Sequence, residues 1–159
     1  MSEARSPDAI EIVRQDARWD ATEADWDAMA ARALAAVDAA LEPDRRGEVA
    51  LLLADDAALQ ALNARWRGKN KPTNVLSFPA PRGGSMLGDI ALSYDTLAQE
   101  AAEKHISLQD HAMHLIVHGL LHLHGYDHQD DAEAEEMEAL ERRILAGFGI
   151  ADPYAEDAA

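Results

Sequence analysis

The segment that follows Ser107 reads as a helix that is apolar almost all the way round. Leu108, Ala112, Leu115, Gly119 and Leu123 fall on one face, and Val117 and Leu121 fall on roughly the opposite one. A helix of that kind is buried, so the remainder of the chain has to be folded around it. Ser107 is placed to cap it, with Asp110 three residues on as in a capping box. Into this apolar element the sequence sets His111, His114, His118, His122 and His124.

His118 and His122 are four residues apart, so their side chains leave the same face on successive turns. That spacing lets two imidazoles reach one metal ion. Gly125 can turn the chain at the helix end, and His128 follows three residues later, where the turn can bring it back. Three imidazoles with an open fourth position describe a catalytic zinc site more than a closed structural one. Nickel and copper suit three imidazoles as well. The spacing equals that of metzincin proteases, but those carry a glutamate after the first histidine as general base. Here that position is Gly119, and peptide hydrolysis loses its usual proton shuttle.

The expected elements around this helix alternate in type. Ile10–Val13 reads as a strand, followed by a helix with Thr22 as its cap and Trp26, Met29, Ala33, Val37 and Leu41 at helical spacing. Val49–Ala54 reads as a buried strand, and Asp55 or Asp56 caps a helix whose apolar stripe is Leu59, Leu62 and Trp66. Residues 75–78 form a short strand between Pro72 and Pro79, which places it at a sheet edge. Gly88–Ser93 is a fourth strand, Tyr94–Lys104 a helix, and a last helix starts near Asp130 and ends at Gly147.

Charge is distributed unevenly. The chain of 159 residues has a formal net charge of −16, an argument against general affinity for nucleic acid. Yet the segment between Asp56 and Asp89 holds Arg65, Arg67, Lys69, Lys71 and Arg82 and no acidic residue, so it carries +5 and the remainder −21. Such a segment is either a solvated loop or a local anion-binding patch. There is no cysteine, which excludes a disulfide scaffold, a Cys-ligated zinc ribbon and a Cys nucleophile. The first residues lack the basic and apolar regions of a signal peptide, and no stretch approaches the roughly 20 apolar residues of a membrane span. The expectation is one cytoplasmic domain over 1–159, with its core at about 8–147.

Three stretches resemble a known family. His118-Gly119-Leu120-Leu121-His122-Leu123-His124-Gly125-Tyr126-Asp127-His128 is similar to the H-G-x-L-H-L-x-G-Y-D-H signature of the YbeY family of bacterial endoribonucleases and rRNA maturation factors. Leu62–Lys69 with Thr73–Pro79 resembles its L-N-x-x-[YW]-R-x-K…T-N-V-L-S-F-P, and Leu87–Ile90 resembles its G-D-I strand. The resemblance runs over about residues 8–147. It implies an α+β fold: a small mixed four-stranded sheet packed with about five helices, the metal site lying on the buried central helix. It implies zinc on His118, His122 and His128, a functional arginine at Arg67, and single-stranded RNA as substrate. The implied setting is 3′-end maturation of small-subunit (16S) ribosomal RNA and ribosome quality control, with the small ribosomal subunit and its assembly proteins as partners and no membrane. A hydrolase of another substrate and a non-catalytic ribosome-assembly factor are the competing readings. His111 and His114 stay open between support of the site, substrate contact and a structural role. Asp127 is open between orienting an imidazole, moving protons and shaping the turn. His124 is read as structural or surface, His105 as surface, and the tail from Ala151 as uninformative.

Overall fold

A computed structural model describes residues 9–41, 47–81, 84–127 and 129–154. In chain order the elements are β1 (Ala9–Arg14), α1 (Arg18–Ala21), α2 (Trp26–Leu41), β2 (Glu48–Ala54), α3 (Asp56–Arg67), β3 (Val75–Pro79), β4 (Met86–Ser93), α4 (Tyr94–Lys104), α5 (Leu108–Leu123) and α6 (Asp131–Ala146). The four strands form one sheet in the order β1-β2-β4-β3. β1, β2 and β4 run parallel, and β3 runs antiparallel to β4. The α+β architecture and mixed sheet are those expected. The helix number is six among the described residues, because a single turn, α1, precedes α2.

The strands alternate, and the alternation sorts the helices. Val49, Leu51 and Leu53 of β2 and Ile90 and Leu92 of β4 face one side and join the main core with α2, α4, α5 and α6. Leu52 and Ala91 face the other side, where Leu59 and Leu62 of α3 meet Leu76 and Phe78 of β3. The sheet therefore has α5 on one face and α3 on the opposite face, and both reach β3 at its edge.

α5 is enclosed as its composition demands: eleven of its sixteen residues are buried. Gly119 permits its close seat on the sheet, since a Cβ there would lie 3.0–3.2 Å from three side-chain atoms of Ile90. Any larger side chain at that position would have to displace the Ile90 side chain by a few tenths of an ångström. Ser107 accepts a hydrogen bond from the Asp110 amide, as the capping pattern indicated.

Two local expectations need correction. α2 begins at Trp26, with the Asp25 side chain accepting from the Ala28 amide. Thr22 instead donates its hydroxyl to the Trp19 carbonyl and accepts from the Trp26 indole. Trp19, fully buried against Trp26 and Tyr94, recruits Thr22 to the preceding turn. Trp66, placed on the core stripe of α3, is 61% exposed. The last turn of α3 runs past the sheet surface that buries Leu59. No helix among the described residues is long and apolar enough to cross a membrane.

Candidate metal centre

α5 presents His118 and His122 together as the i, i+4 spacing requires. Their rings meet edge to face with centroids 4.6 Å apart, and their Nε2 atoms are 3.1 Å apart. Two imidazole nitrogens so close can share one proton or one cation. Ligand nitrogens at 2.0–2.1 Å from a tetrahedral ion lie about 3.3 Å apart, so the pair fits one metal.

The opposite nitrogen of His118 is also engaged. Its Nδ1 lies 2.7 Å from Oε2 of Glu141, a residue of α6 whose side chain is fully buried. His114 Nε2 lies 2.9 Å from Glu141 Oε1, and the Tyr154 hydroxyl donates to the same oxygen at 2.5 Å. Burial pushes the Glu141 carboxyl up, but the hydrogen bonds it accepts from His114, His118 and Tyr154 outweigh it and hold it at about 2. An ionised carboxylate accepts, so His118 donates from Nδ1 and turns its Nε2 lone pair toward His122. A carboxylate on the far nitrogen of a ligating histidine fixes both tautomer and ring orientation. His114, His118 and Glu141 also bring one ligand atom each within 4.8 Å of one another and form a group that could hold a metal ion.

The two histidines line a cleft of about 640 Å³, and a wall of the same cleft carries Arg67, Lys69 and Lys71. That wall is built by the end of α3. Gly68 takes a left-handed φ of 70° and closes the helix with its amide on the Ala64 carbonyl. The buried Asn63 amide then donates to the Lys71 carbonyl, folding the following loop back along the helix. Arg67 and the two lysines thus share one surface, although Arg67 is a helical residue and they are not. Asn74 and Asp127 line the same cleft.

The remaining histidines separate by role. His111 is buried and its Nε2 lies 2.8 Å from Glu100, which also accepts from the Asn74 side chain. Burial pushes the His111 pKa down and outweighs the Glu100 bond. His124 is largely buried, 3.8 Å from Asp38. His105 is exposed and ends α4 with a left-handed φ of 58°. His128 lies outside the described residues.

The sequence reading missed Glu141 and Tyr154. Glu141 had a signal: it stands between Met137 and Ile144 at core spacing, a carboxylate on an apolar stripe. Tyr154 had none, because its partner is set by the tail returning over α6.

The profile of the family described as endoribonuclease YbeY matches residues 11–149. The chain belongs to the endoribonuclease YbeY family. Similar YbeY proteins include one named endoribonuclease YbeY from Rhodopseudomonas palustris strain BisB18, 50% identical, with 94% of each chain covered. Another of that name, from Paracoccus denitrificans, is 49% identical over 94% of this chain and 92% of its own. A Thermotoga maritima protein solved in solution has a similar fold, with a TM-score of 0.60 at 20% identity, covering 94% of this chain and 99% of its own. The YbeY profile spans both walls of the cleft, from α3 to α6.

Proposed function

We propose that this chain is a zinc-dependent endoribonuclease that cleaves single-stranded RNA, working as one domain over 1–159 in the cytoplasm. Its setting is ribosomal: 3′-end maturation of small-subunit (16S) RNA and ribosome quality control, alongside the small subunit and its assembly proteins. The observation that carries the reading is the pairing across one cleft of His118 and His122, with Nε2 atoms 3.1 Å apart, and the cationic wall of Arg67, Lys69 and Lys71. His118, His122 and, by its spacing, His128 are assigned to the metal. Glu141 and Tyr154 support His118 from behind.

Zinc bound there would supply positive charge against a phosphoryl oxygen and lower the pKa of water to about 7. Arg67 is assigned to the scissile phosphate, because its planar fork gives two hydrogen bonds to one anion. The lysines follow the RNA backbone as point charges. Peptide hydrolysis is disfavoured by Gly119, which supplies no carboxylate where the proteases carry their general base.

Metal analysis of the purified protein, followed by incubation with single-stranded RNA, duplex RNA and casein with and without chelator, tests the proposal. About one zinc per chain is expected, with chelator-sensitive cleavage of the single strand and no action on casein. Metal without RNA cleavage would make the chain an assembly factor with a structural ion. Chelator-sensitive cleavage of casein would make it a hydrolase of another kind.

A further inference from the structure

The face of the sheet that carries α3 is only partly covered. Beside α3 an open groove of about 450 Å³ is lined by Val13, Leu52, Leu62, Phe78 and Pro79, with Trp66 at its rim. Trp66 is the most exposed large apolar residue among those described; Val13, at 49%, is next and lies in the same groove. The Arg65 guanidinium stands over the Trp66 ring, 5.0 Å from its centroid. Arg67, the next residue, faces the metal cleft instead, and Pro79 lines both the groove and the cleft. The end of α3 therefore divides two adjoining surfaces: cationic toward the histidines, aromatic and apolar toward the outer sheet.

We propose that the Trp66 groove is a nucleobase subsite, holding an unpaired base of the same RNA strand whose phosphates lie in the cleft. This rests on the endoribonuclease reading and extends it. An exposed indole flanked by Arg65 and Arg67 is the combination that binds single strands, with bases stacking on the aromatic and cations tracking the backbone. The charge argument selects the occupant. Arg65, Arg67, Lys69 and Lys71 lie in a segment without acidic residues inside a chain of net charge −16, so this is where a polyanion is favoured. The groove adjoins the cleft at Pro79, so a strand leaving the cleft over β3 meets Trp66, with Asp89 also in the groove lining. A carboxylate in that position accepts from a base N–H, whether the exocyclic amine of cytosine or adenine or the imide N3–H of uracil. A duplex keeps its bases stacked and cannot fill the groove, which gives single-strand preference a physical source.

The experiment is RNA binding by fluorescence anisotropy at fixed salt. It uses metal-replete wild type, Trp66→Ala and Trp66→Phe, with a short unstructured oligoribonucleotide and the same oligomer carrying abasic positions. Trp19 and Trp26 are buried, so quenching of the exposed tryptophan signal by the oligomer reports on Trp66. Trp66→Ala should bind intact RNA about 5- to 150-fold more weakly, the scale of one lost base–aromatic stack, with zinc content and melting temperature unchanged. Trp66→Phe should recover most of the affinity, and abasic RNA should not distinguish wild type from Trp66→Ala. Equal binding of intact RNA by wild type and Trp66→Ala, without quenching, would overturn the subsite while leaving the nuclease reading intact, and would leave the groove to a protein partner. Failure of the wild type to bind any single-stranded RNA would overturn both.

Discussion

Replacing Glu141 by glutamine removes one charge from a fully buried position and keeps its volume. The wild-type carboxylate receives three donors: His118 Nδ1 at 2.7 Å, His114 Nε2 at 2.9 Å and the Tyr154 hydroxyl. A glutamine offers one carbonyl oxygen and an NH₂ group that cannot accept. It can satisfy one side of the site, and on the other an N–H faces an N–H. A buried donor left without an acceptor costs about 1–3 kcal/mol. At about 2–4 °C per kcal/mol for a chain of this size, the metal-free variant should melt roughly 2–12 °C lower. The second effect falls on the metal. His118 loses the partner that sets its tautomer, and loss of such a partner typically weakens binding 10- to 100-fold, or about 1.4–2.7 kcal/mol. Competition for zinc against a chromophoric chelator, at fixed pH, measures it. His122→Ala run in parallel should hold no stoichiometric zinc, whereas His114→Gln should keep its zinc within about tenfold. The reasoning fails if His114→Gln loses its zinc and His122→Ala keeps it. The ion would then sit among His114, His118 and Glu141, with Glu141 a ligand and not the support of one.

Three further outcomes are expected. Arg67→Ala should keep its zinc and its melting temperature, since exposed substitutions change stability within about 0.5 kcal/mol, while single-strand cleavage falls about 10²–10³-fold, with partial recovery in Arg67→Lys. Gly119→Val should cost about 1–3 kcal/mol through the clash with Ile90, read as a lower midpoint in denaturant titration. His111 is held neutral by burial, so its pKa lies below the ordinary 6.5. The unfolded chain then takes up the proton first, and stability contributed by neutral His111 is full above about pH 6.5 and declines as pH falls toward the folded value. Melting of the metal-free protein at pH 7.5 and 5.5 should show a smaller decline in His111→Gln, and an equal decline would remove His111 as the source.

The central helix and its histidines were legible because their signals are periodic. The i, i+4 pair faces one way by helical geometry alone, and the apolar circumference of α5 dictates burial whatever surrounds it. The proline-bracketed strand was legible for a similar reason, since a residue without an N–H suits an edge. Trp66 misled because helical spacing shows that Leu59, Leu62 and Trp66 share a face, but not where the opposing surface ends. Thr22 misled because its hydroxyl had a competing partner in Trp19, which only the tertiary packing brings close. Glu141 and Tyr154 stayed hidden because the acid is explained by donors 23 and 27 residues earlier and the tyrosine by the acid. Partners that distant leave no local periodicity.

The position of β3 has a consequence for how activity is lost. Among the described residues, its five residues pair on one side only, with β4, and the strand touches both the helix that carries the histidines and the helix that carries Arg67. Hydrogen exchange should therefore find the β3 amides opening more readily than those of β2, which is bonded on both sides. Each such opening should loosen the cleft, whose lining includes Val75, Leu76, Ser77 and Pro79 of β3. Heat should then inactivate the protein a few degrees below the temperature at which its helices melt, and cooling should restore it, because the part that has come apart is a single edge strand.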